Sequence, residues 1–328
     1  MNKLKLLTMS DIPTEEVRWL WYPYLPRGKI TMIQGDPGEG KTTFVLALTA
    51  LLTQGQPMPD GANGQPPMNI IYQTAEDGLA DTVKPRLTAL GADCSRVLVI
   101  DESERELTLS DRRLAQAIQE TNAGLFVLDP IQAYLGGGVD MHRANEVRPL
   151  FKRLGHLAEQ TGCAIVLVGH MNKMQGVKSA YRGLGSIDFR AAARSVLLVG
   201  RSKDDEQVRV VVHDKSSLAP EGKSILFSLH SETGFSWSGF CDTTAGELLS
   251  GSGPSTTKTE QAERLLLELL KDGEVASEEL LRQSSALGIS ERTLKIARQN
   301  QGVVSVRRGD RWYAKLPDTG QEGKEVTY

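Results

Sequence analysis

Short apolar runs and longer amphipathic stretches alternate along the first two thirds of the chain. The apolar runs have the length of buried strands, and the stretches between them have helical periodicity. This alternation predicts right-handed β-α-β units and a mainly parallel sheet, so the expected fold class is α/β. The predicted strands are 29–33, 68–73, 96–100, 125–128 and 164–169, and the predicted helices are 44–52, 79–90, 110–120 and 145–160.

The pattern changes after position 195. Between 195 and 237, four apolar runs lie close together with only turn residues between them. Such closely spaced strands pair most simply as antiparallel neighbours. We therefore expect an antiparallel extension at one edge of the sheet, and a first domain that covers residues 1–245.

The last third of the chain predicts a second, smaller domain. Residues 246–258 are rich in Ser, Gly and Thr, a composition typical of a flexible linker. Residues 259–316 contain three helical stretches followed by two short β runs around Gly309, the order of a winged helix-turn-helix. Residues 317–328 have the composition of a disordered tail.

Composition and charge narrow the class of protein. The chain has 328 residues, 40% of them apolar, a net charge of −3 and a pI near 6.0, which fits a soluble protein of about two domains. Its three cysteines, Cys94, Cys163 and Cys241, lack metal-site or disulfide spacing, which favours a reducing, cytoplasmic setting. No signal peptide and no run of roughly 20 apolar residues is visible, so we expect no membrane contact.

A glycine-rich phosphate-binding loop follows the first predicted strand. Its pattern is G-x-x-x-x-G-K-T, and its glycines let backbone N–H groups point at phosphates beside a helix N-terminus. Lys41 is expected to reach the β- and γ-phosphates and Thr42 to bind Mg²⁺, so ATP and Mg²⁺ are the predicted ligands. The predicted binding residues are Gly35, Asp36, Pro37, Gly38, Glu39, Gly40, Lys41, Thr42 and Thr43.

Two carboxylates at predicted strand ends supply the rest of an ATPase site. Asp129 ends the apolar run 125–128, the form of a Walker B acid, and is expected to support Mg²⁺. Glu76 follows the strand that begins near Ile70, and we assign it as the carboxylate that activates water. Alternative interpretations remain open, because Asp129 can cap a turn before Pro130 and Glu76 can belong to an exposed acidic turn.

His170 ends the next strand on the same predicted rim, where a neutral polar group could sense the γ-phosphate; a purely structural histidine is the alternative. The segment 171–188 that follows carries Lys173, Lys178 and Arg182 among glycines. It is either a solvated connector or a loop that contacts nucleic-acid phosphates.

Eight segments together carry a family resemblance over about residues 27–229. With them, the chain resembles the RecA-like ATPases of the RepA group, the hexameric replicative helicases of plasmids and mobile elements, and less closely the DnaB-type helicases and RadA-type proteins. The segments are Gly-Asp-Pro-Gly-Glu-Gly-Lys-Thr (35–42), Thr-Ala-Glu-Asp-Gly (74–78), Asp-Thr-Val-Lys-Pro-Arg-Leu (81–87), Val-Leu-Asp-Pro-Ile (127–131), Gly-His-Met-Asn-Lys (169–173), Arg-Gly-Leu-Gly-Ser (182–186), Ala-Ala-Arg-Ser-Val (192–196) and Asp-Lys-Ser-Ser-Leu-Ala-Pro-Glu-Gly (214–222).

This resemblance implies a homo-oligomer, a hexameric ring, that acts on single-stranded DNA through the loop after His170. It also implies that Arg194 or Lys215 is a cationic finger, a residue that enters the nucleotide site of a neighbouring subunit. In DnaB-like proteins an arginine stands two positions after the matching lysine, whereas Ser217 stands here. An exposed salt bridge is the alternative role for both cations.

The C-terminal segment adds a second DNA hypothesis. From position 288 to 311 there are six basic residues and two acidic ones, in a chain that is acidic overall. On the predicted recognition helix 290–300, Arg292, Lys295 and Arg298 are the expected DNA contacts, to duplex as well as single-stranded DNA. A protein-docking module is the alternative. The sequence thus favours an ATP-dependent DNA motor in replication of a plasmid, phage or mobile element, with an ATP-switched DNA-binding regulator or loader without unwinding activity as the second reading.

Overall fold

The computed structural model describes residues 6–141, 143–171, 187–230, 233–249, 258–271 and 273–317. The chain divides into two compact units, Met1–Gly251 and Ser252–Tyr328. Each unit has its own hydrophobic core. In the described part of the chain, no helix is both long and apolar enough to span a membrane.

A nine-stranded sheet is the centre of the first unit. Six neighbouring strands run parallel and three antiparallel strands extend one edge, in the order β11-β10-β9-β8-β3-β7-β6-β4-β5. The prediction of an α/β fold with a mainly parallel sheet and an antiparallel extension is therefore confirmed. The strands are β3 (Ile30–Gly35), β4 (Ile70–Thr74), β5 (Val97–Leu98), β6 (Leu125–Asp129), β7 (Ala164–His170), β8 (Ser195–Arg201), β9 (Val208–Ser216), β10 (Ser224–His230) and β11 (Gly234–Cys241), and a separate ribbon pairs β1 (Trp19–Trp21) with β2 (Leu25–Pro26).

Helices cover both faces of this sheet, because its central strands are apolar on both sides and need partners on each. Helices α1 and α2 contribute Phe44 and Leu87 to the core on one face. Helices α3, α4 and α5 contribute Ile118, Leu154 and Phe189 to the core on the other. The helices are α1 (Lys41–Gln54), α2 (Lys84–Ala89), α3 (Arg112–Thr121), α4 (Ala144–Thr161), α5 (Ile187–Ala192) and α6 (Ala245–Leu249).

The structure differs from the sequence prediction over residues 79–90. A π-helical turn occupies Leu79–Val83 and α-helix follows only from Lys84. Pro85 has no backbone N–H and therefore fits only the first turn of α2, so the helical segment divides there. The predicted strand 96–100 is likewise shortened to Val97–Leu98, where it pairs with Ile70 and Ile71 at the edge of the sheet.

The predicted linker 246–258 also differs, because helical residues occupy both of its ends. Helix α6 packs on the sheet, and a Cβ added at Gly200 would lie 2.9 Å from Cδ1 of Leu248. This contact places Leu248 against β8, so the first unit continues through α6 and beyond position 245. The following helix already begins at Lys258.

The second unit contains three helices and a small antiparallel sheet within residues 258–271 and 273–317. Its core gathers Leu266, Leu280, Leu294 and Ala314. The sheet has the order β12-β14-β13. The elements follow the chain as α7 (Lys258–Leu270), β12 (Val275–Ala276), α8 (Ser277–Ala286), α9 (Glu291–Asn300), β13 (Val304–Arg308) and β14 (Arg311–Lys315).

Candidate functional site

The phosphate-binding loop connects β3 to α1 as its sequence predicts. Gly38 and Gly40 have φ angles of 79° and 90°, in the left-handed region that favours glycine, and Gly40 is the N-cap of α1. A Cβ added at Gly35 would lie 2.2 Å from the carbonyl oxygen of Val199 in β8. The loop therefore starts at a position where the backbone of β8 leaves no room for a side chain. Its remaining predicted residues are Asp36, Pro37, Glu39, Thr42 and Thr43.

The Lys41 side chain is buried and folds back on its own loop. Its Nζ donates hydrogen bonds to the carbonyl oxygens of Gly35 at 2.9 Å and of Asp36 at 2.8 Å. Burial lowers the pKa of Lys41, while the nearby carboxylates of Asp129, Asp36, Glu39 and Glu76 act in the opposite direction. The ammonium group is thus held at the loop, ready to exchange backbone carbonyls for phosphate oxygens.

Asp129 lies beside the loop and accepts two hydrogen bonds on one oxygen. Thr42 Oγ1 and the Tyr72 hydroxyl each donate to Oδ2 at 2.8 Å. Burial raises the pKa of Asp129, and these two hydrogen bonds together with Lys41 counteract that effect. The register of β4 and β6 explains the arrangement, because Thr74 faces Asp129 and Tyr72 faces Val127.

The oxygens of Thr42 and Asp129 fit a magnesium ion. Mg²⁺ prefers oxygen ligands and is usually held by one or two protein groups plus the phosphates of its nucleotide. Within the described residues, no group of three or more His, Cys, Asp or Glu could hold a metal by itself. The pair therefore suits an ion that arrives with a nucleotide.

Glu76 lies at the same rim, at the end of β4. The backbone N–H of Ala75 donates to the carbonyl oxygen of Asp129 at 3.2 Å, which fixes the start of this turn beside β6. The Glu76 carboxylate is exposed and its Oε2 lies 3.6 Å from Nε2 of His170. The neighbouring Asp77 forms an ion pair with Arg86 at 3.1 Å, whereas Glu76 is among the carboxylates that act on the pKa of Lys41.

Arg194 and Lys215, the two predicted finger residues, lie at the opposite edge of the sheet. Arg194 directly precedes β8, and its backbone N–H donates to the carbonyl oxygen of Ile30 at the start of β3. The side chain of Lys215 donates to the carbonyl oxygens of Arg190 at 2.7 Å and Ala193 at 2.8 Å, and burial lowers its pKa. Lys215 therefore caps the end of α5, whereas Arg194 is exposed.

A basic cavity of about 400 Å³ surrounds Arg194. It lies at the N-terminal edge of the sheet, between α4 and the end of α5. Glu159 is its one lining acid among the described residues, and this carboxylate forms an ion pair with Lys29 at 2.8 Å. The basic lining residues are Lys29, Arg148, Lys152, His156 and Arg194.

The predicted DNA contacts fall into two groups. Lys173, Lys178 and Arg182 lie outside the described residues. In the second unit, Ser290 caps α9 by accepting a hydrogen bond from the Thr293 N–H at 3.2 Å, and Leu294 and Ala297 of α9 are buried. Arg292 and Lys295 are exposed on that helix, and Arg298 donates to Ser305 Oγ at 2.9 Å.

Sequence reasoning missed three residues of the site. The sequence pattern places Tyr72 in a predicted strand and gives it no role in the site. A tyrosine on the same strand face as Ile70 is nevertheless a signal that its hydroxyl needs a buried partner. Arg201 and Arg209 lie at the loop edge of β8 and β9, and each approaches Glu39 to 3.8 Å. No local pattern relates these arginines to the loop, because they are more than 160 positions away.

Known proteins are similar in sequence to part of this chain. DNA repair protein RadA of Bacillus subtilis (strain 168) is 28% identical over 149 residues, 45% of this chain and 29% of that protein. DNA repair protein RadA of Brucella abortus (strain 2308) is 30% identical over 155 residues, with 45% and 29% covered. The chain thus spans about 29% of the length of these curated relatives.

A solved structure is also similar. A KaiC-like protein from the hyperthermophilic archaeon Pyrococcus horikoshii OT3 aligns over 68% of this chain and 99% of its own, at 16% identity and a TM-score of 0.48. The sequence profile of the AAA domain family matches residues 4–176, more than half of the chain, and this region contains the phosphate-binding loop, Glu76, Asp129 and His170. The chain therefore belongs to the AAA domain family, and it is a P-loop ATPase of that family.

Proposed function

We propose that this protein is an oligomeric, ATP-driven motor on single-stranded DNA, a helicase or translocase similar to the RepA and DnaB group. Its nucleotide site is completed by a cation from a neighbouring copy, and the preferred assembly is a hexameric ring. Replication of a plasmid, phage or integrated mobile element is the process that the family resemblance favours. ATP and Mg²⁺ are its ligands.

The observation that carries this proposal is the separation of the site residues between two edges of one sheet. Lys41, Thr42 and Asp129 lie where the parallel strands end, and Arg194 lies where β8 begins. The six residues of β3 separate these edges by about 17 Å. This distance is too long for Arg194 to reach the nucleotide site of its own chain, and a second copy arranged head to tail would bring it to a neighbour's site.

The basic cavity supports the same arrangement. Arg194 shares it with Lys29, Lys152 and His156, in a chain whose net charge is negative. A recess lined in this way suits the polyphosphate of a neighbour's nucleotide, and a cation from the next subunit stabilises negative charge that develops during phosphoryl transfer. Lys215 is engaged with backbone carbonyls, so Arg194 is the finger that we prefer.

Within one subunit, the chemistry is divided among a few side chains. Lys41 leaves the carbonyl oxygens of its loop and binds the β- and γ-phosphates. Bound Mg²⁺ supplies charge neutralisation on the phosphate oxygens, with Thr42 and Asp129 as the residues that hold it. Glu76 orients the attacking water, and His170 connects that carboxylate to the start of the predicted DNA-contacting segment.

DNA binding is proposed from two regions. The segment with Lys173, Lys178 and Arg182 follows His170 in the sequence, and its cations are the proposed contacts to single-stranded DNA. The second unit has the element order of a winged helix, and its α9 carries Arg292 and Lys295 on the exposed side. The relatives named DNA repair protein RadA support a role on DNA, without specifying which.

A second candidate function is an ATP-switched regulator or loader that binds DNA and does not unwind it. The winged-helix-like order of the second unit favours it, because such modules recognise duplex DNA. The two functions share the ATPase site and differ in what hydrolysis accomplishes.

Strand displacement on a forked DNA substrate is the test. The motor should separate the strands with ATP and fail with a non-hydrolysable analogue, and its mass with ATP and single-stranded DNA should be that of an oligomer. The Lys41→Ala protein is the matched control. ATP-dependent binding to duplex DNA with no strand separation would favour the loader instead.

A further inference from the structure

Glu39 places a negative charge in a loop that is built to bind a polyphosphate. Position 39 is one of the unspecified positions of the G-x-x-x-x-G-K-T pattern. Its charge is felt at the site, because Glu39 is among the carboxylates that act on the pKa of Lys41. A loop with this residue therefore needs something that offsets like-charge repulsion with the phosphates.

Two arginines, at the end of β8 and near the start of β9, lie beside this carboxylate. Arg201 NH2 lies 3.8 Å from Oε1 of Glu39, and Arg209 Nε lies 3.8 Å from Oε2. The two arginines face each other across the β8–β9 ladder. Like charges directly opposite each other destabilise a strand pair. The Glu39 carboxylate therefore stabilises the pairing of β8 with β9, and the two arginines in turn neutralise the carboxylate.

The Arg209 end of this cluster is buried. Its side chain is 9% exposed and that of Glu39 is 18% exposed. Neither Arg209 Nε nor Glu39 Oε2 has a hydrogen-bond partner among the residues that the structure describes, so the attraction between them is Coulombic. Two hydrogen bonds from one other group of Arg209 hold it in place, since its NH1 donates to the carbonyl oxygens of Glu206 and Val208.

The phosphate-binding loop also contacts β10, the strand next to β9 in the sheet. A Cβ added at Gly40 would lie 3.0 Å from Cδ1 of Leu229 and 3.3 Å from the ring of Phe227, both in β10. The crest of the loop, residues 36–40, thus lies between an apolar contact with β10 and the charged contact with β8 and β9. Of the two, only the charged contact changes the electrostatics of phosphate binding.

We propose that Arg209 is a positioning residue for nucleotide binding: with Arg201 it neutralises Glu39 and holds the crest of the loop, residues 36–40, in its binding conformation. Arg209 acts through Glu39 and does not touch the phosphates. The inference rests on ATP binding at this loop and is independent of any activity on DNA.

A double-mutant cycle tests it, with the affinity for Mg-ATP measured by calorimetry. Arg209→Met should weaken binding about tenfold, the scale of one uncompensated charge near the phosphates, and leave kcat at saturating ATP within about twofold. Arg209→Lys should recover most of the loss. In the Glu39→Gln background, Arg209→Met should change affinity less than about twofold, because no charge remains to be neutralised.

Equal weakening by Arg209→Met in both backgrounds would overturn the proposal, since the arginine would then act by direct contact or by packing. Lys223→Met, which removes an exposed cation before β10 on the far side of the extension, is the matched control and should bind ATP as the wild type does. If Arg209→Met does not fold, Arg201→Met replaces it in the same two backgrounds, with an expected loss of about threefold because Arg201 is half-exposed.

Hydrogen exchange without nucleotide gives a second readout. The amides of Asp36, Gly38, Glu39 and Gly40 should exchange faster in Arg209→Met and in Glu39→Gln than in the wild type, and unchanged exchange in both would overturn the positioning role. A wild-type protein that binds no ATP would overturn this inference together with the ATPase function. ATP binding that depends on Arg209, with no strand displacement on forked DNA, would leave the inference standing and contradict only the proposed motor.

Discussion

The imidazole Nε2 of His170 lies 3.6 Å from the carboxylate Oε2 of Glu76, so the ends of β7 and β4 meet at the rim of the sheet although β6 separates the two strands. His170 Nδ1 is buried and has no hydrogen-bond partner in the described part of the chain. The contact between His170 and Glu76 connects the carboxylate assigned to catalysis with the end of β7, where the predicted DNA-contacting segment begins.

Glu76→Gln should bind ATP with near wild-type affinity and lose hydrolysis by about 100-fold or more. The amide keeps the shape of the side chain but cannot take part in orienting and polarising water as a carboxylate does. Steady-state phosphate release and ATP binding measure the two effects. Asp77→Asn is the control and should stay within about threefold, because Asp77 pairs with Arg86; the reverse pattern would mean that Asp77 is the catalytic carboxylate.

Mixing two inactive proteins tests the shared site. Lys41→Ala removes the only side-chain cation of the loop, and Arg194→Ala removes the cation proposed to act on a neighbour. A mixture should regain part of the ATPase activity, because some interfaces then combine an intact loop with an intact arginine. Arg153→Ala, an exposed residue of α4 outside the basic cavity, should be fully active alone. Absence of any recovery, with a monomeric mass under ATP, would refute the trans role of Arg194.

Tyr72→Phe should lower the free energy of unfolding by about 2 kcal/mol, because a buried hydrogen bond to the Asp129 carboxylate is lost. Chemical denaturation measures this. Tyr134→Phe is a matched control, since the Tyr134 hydroxyl is buried and has no hydrogen-bond partner within the described residues, so its removal should cost little. Equal losses in the two variants would show that the hydroxyl of Tyr72 contributes through packing alone.

Stability should fall between pH 6.5 and pH 4 because of His213. Its Nδ1 accepts from the Gly222 N–H at 2.9 Å, its Nε2 lies 3.1 Å from Ser195 Oγ, and burial lowers its pKa from 6.5 to about 4. In this window the unfolded chain takes up a proton that the folded chain does not, so unfolding becomes easier as the pH decreases, by up to about 3 kcal/mol. His213→Gln should flatten the difference between pH 7 and pH 4 in denaturation curves; an unchanged slope would contradict this assignment.

Neutralising Arg292, Lys295 and Arg298 together as glutamines should weaken DNA binding and reduce the slope of log affinity against log salt by about two to three. For each phosphate contact that is lost, fewer counterions are released when the protein binds DNA. Arg282→Gln on α8, whose side chain pairs with Glu279 at 2.7 Å, is the control and should leave the slope unchanged. If the triple variant binds DNA like the wild type at every salt concentration, the second unit docks a protein.

The parts of the site that sequence predicts are those fixed by local geometry. The loop requires only a strand, glycines and a helix that are contiguous in the chain, and Glu76 and Asp129 follow from the rule that parallel strands end at one rim. The parallel order and the antiparallel extension follow in the same way from the spacing of apolar runs. These features need no knowledge of which distant residues meet.

The parts that sequence does not predict depend on register and on packing between distant elements. Tyr72 reaches Asp129 only because β4 and β6 pair with Thr74 opposite Asp129. Arg209 reaches Glu39 only because β9 folds back on β8. Lys215 and Arg194 both lie near the edge of the sheet, and their sequence contexts do not distinguish them. Lys215 donates to a carbonyl group at the end of α5, whereas Arg194 is exposed.

If Arg194 serves a neighbouring copy, strand β8 connects two different nucleotide sites through seven consecutive residues. Arg194 precedes its first residue, and Val199 and Arg201 near its other end contact the loop of the same chain. If the seven residues of β8 move together, a change at one nucleotide site would be transmitted to the next site. Coupling between the nucleotide sites of neighbouring copies would follow, and its measurable sign is a sigmoidal dependence of turnover on ATP concentration.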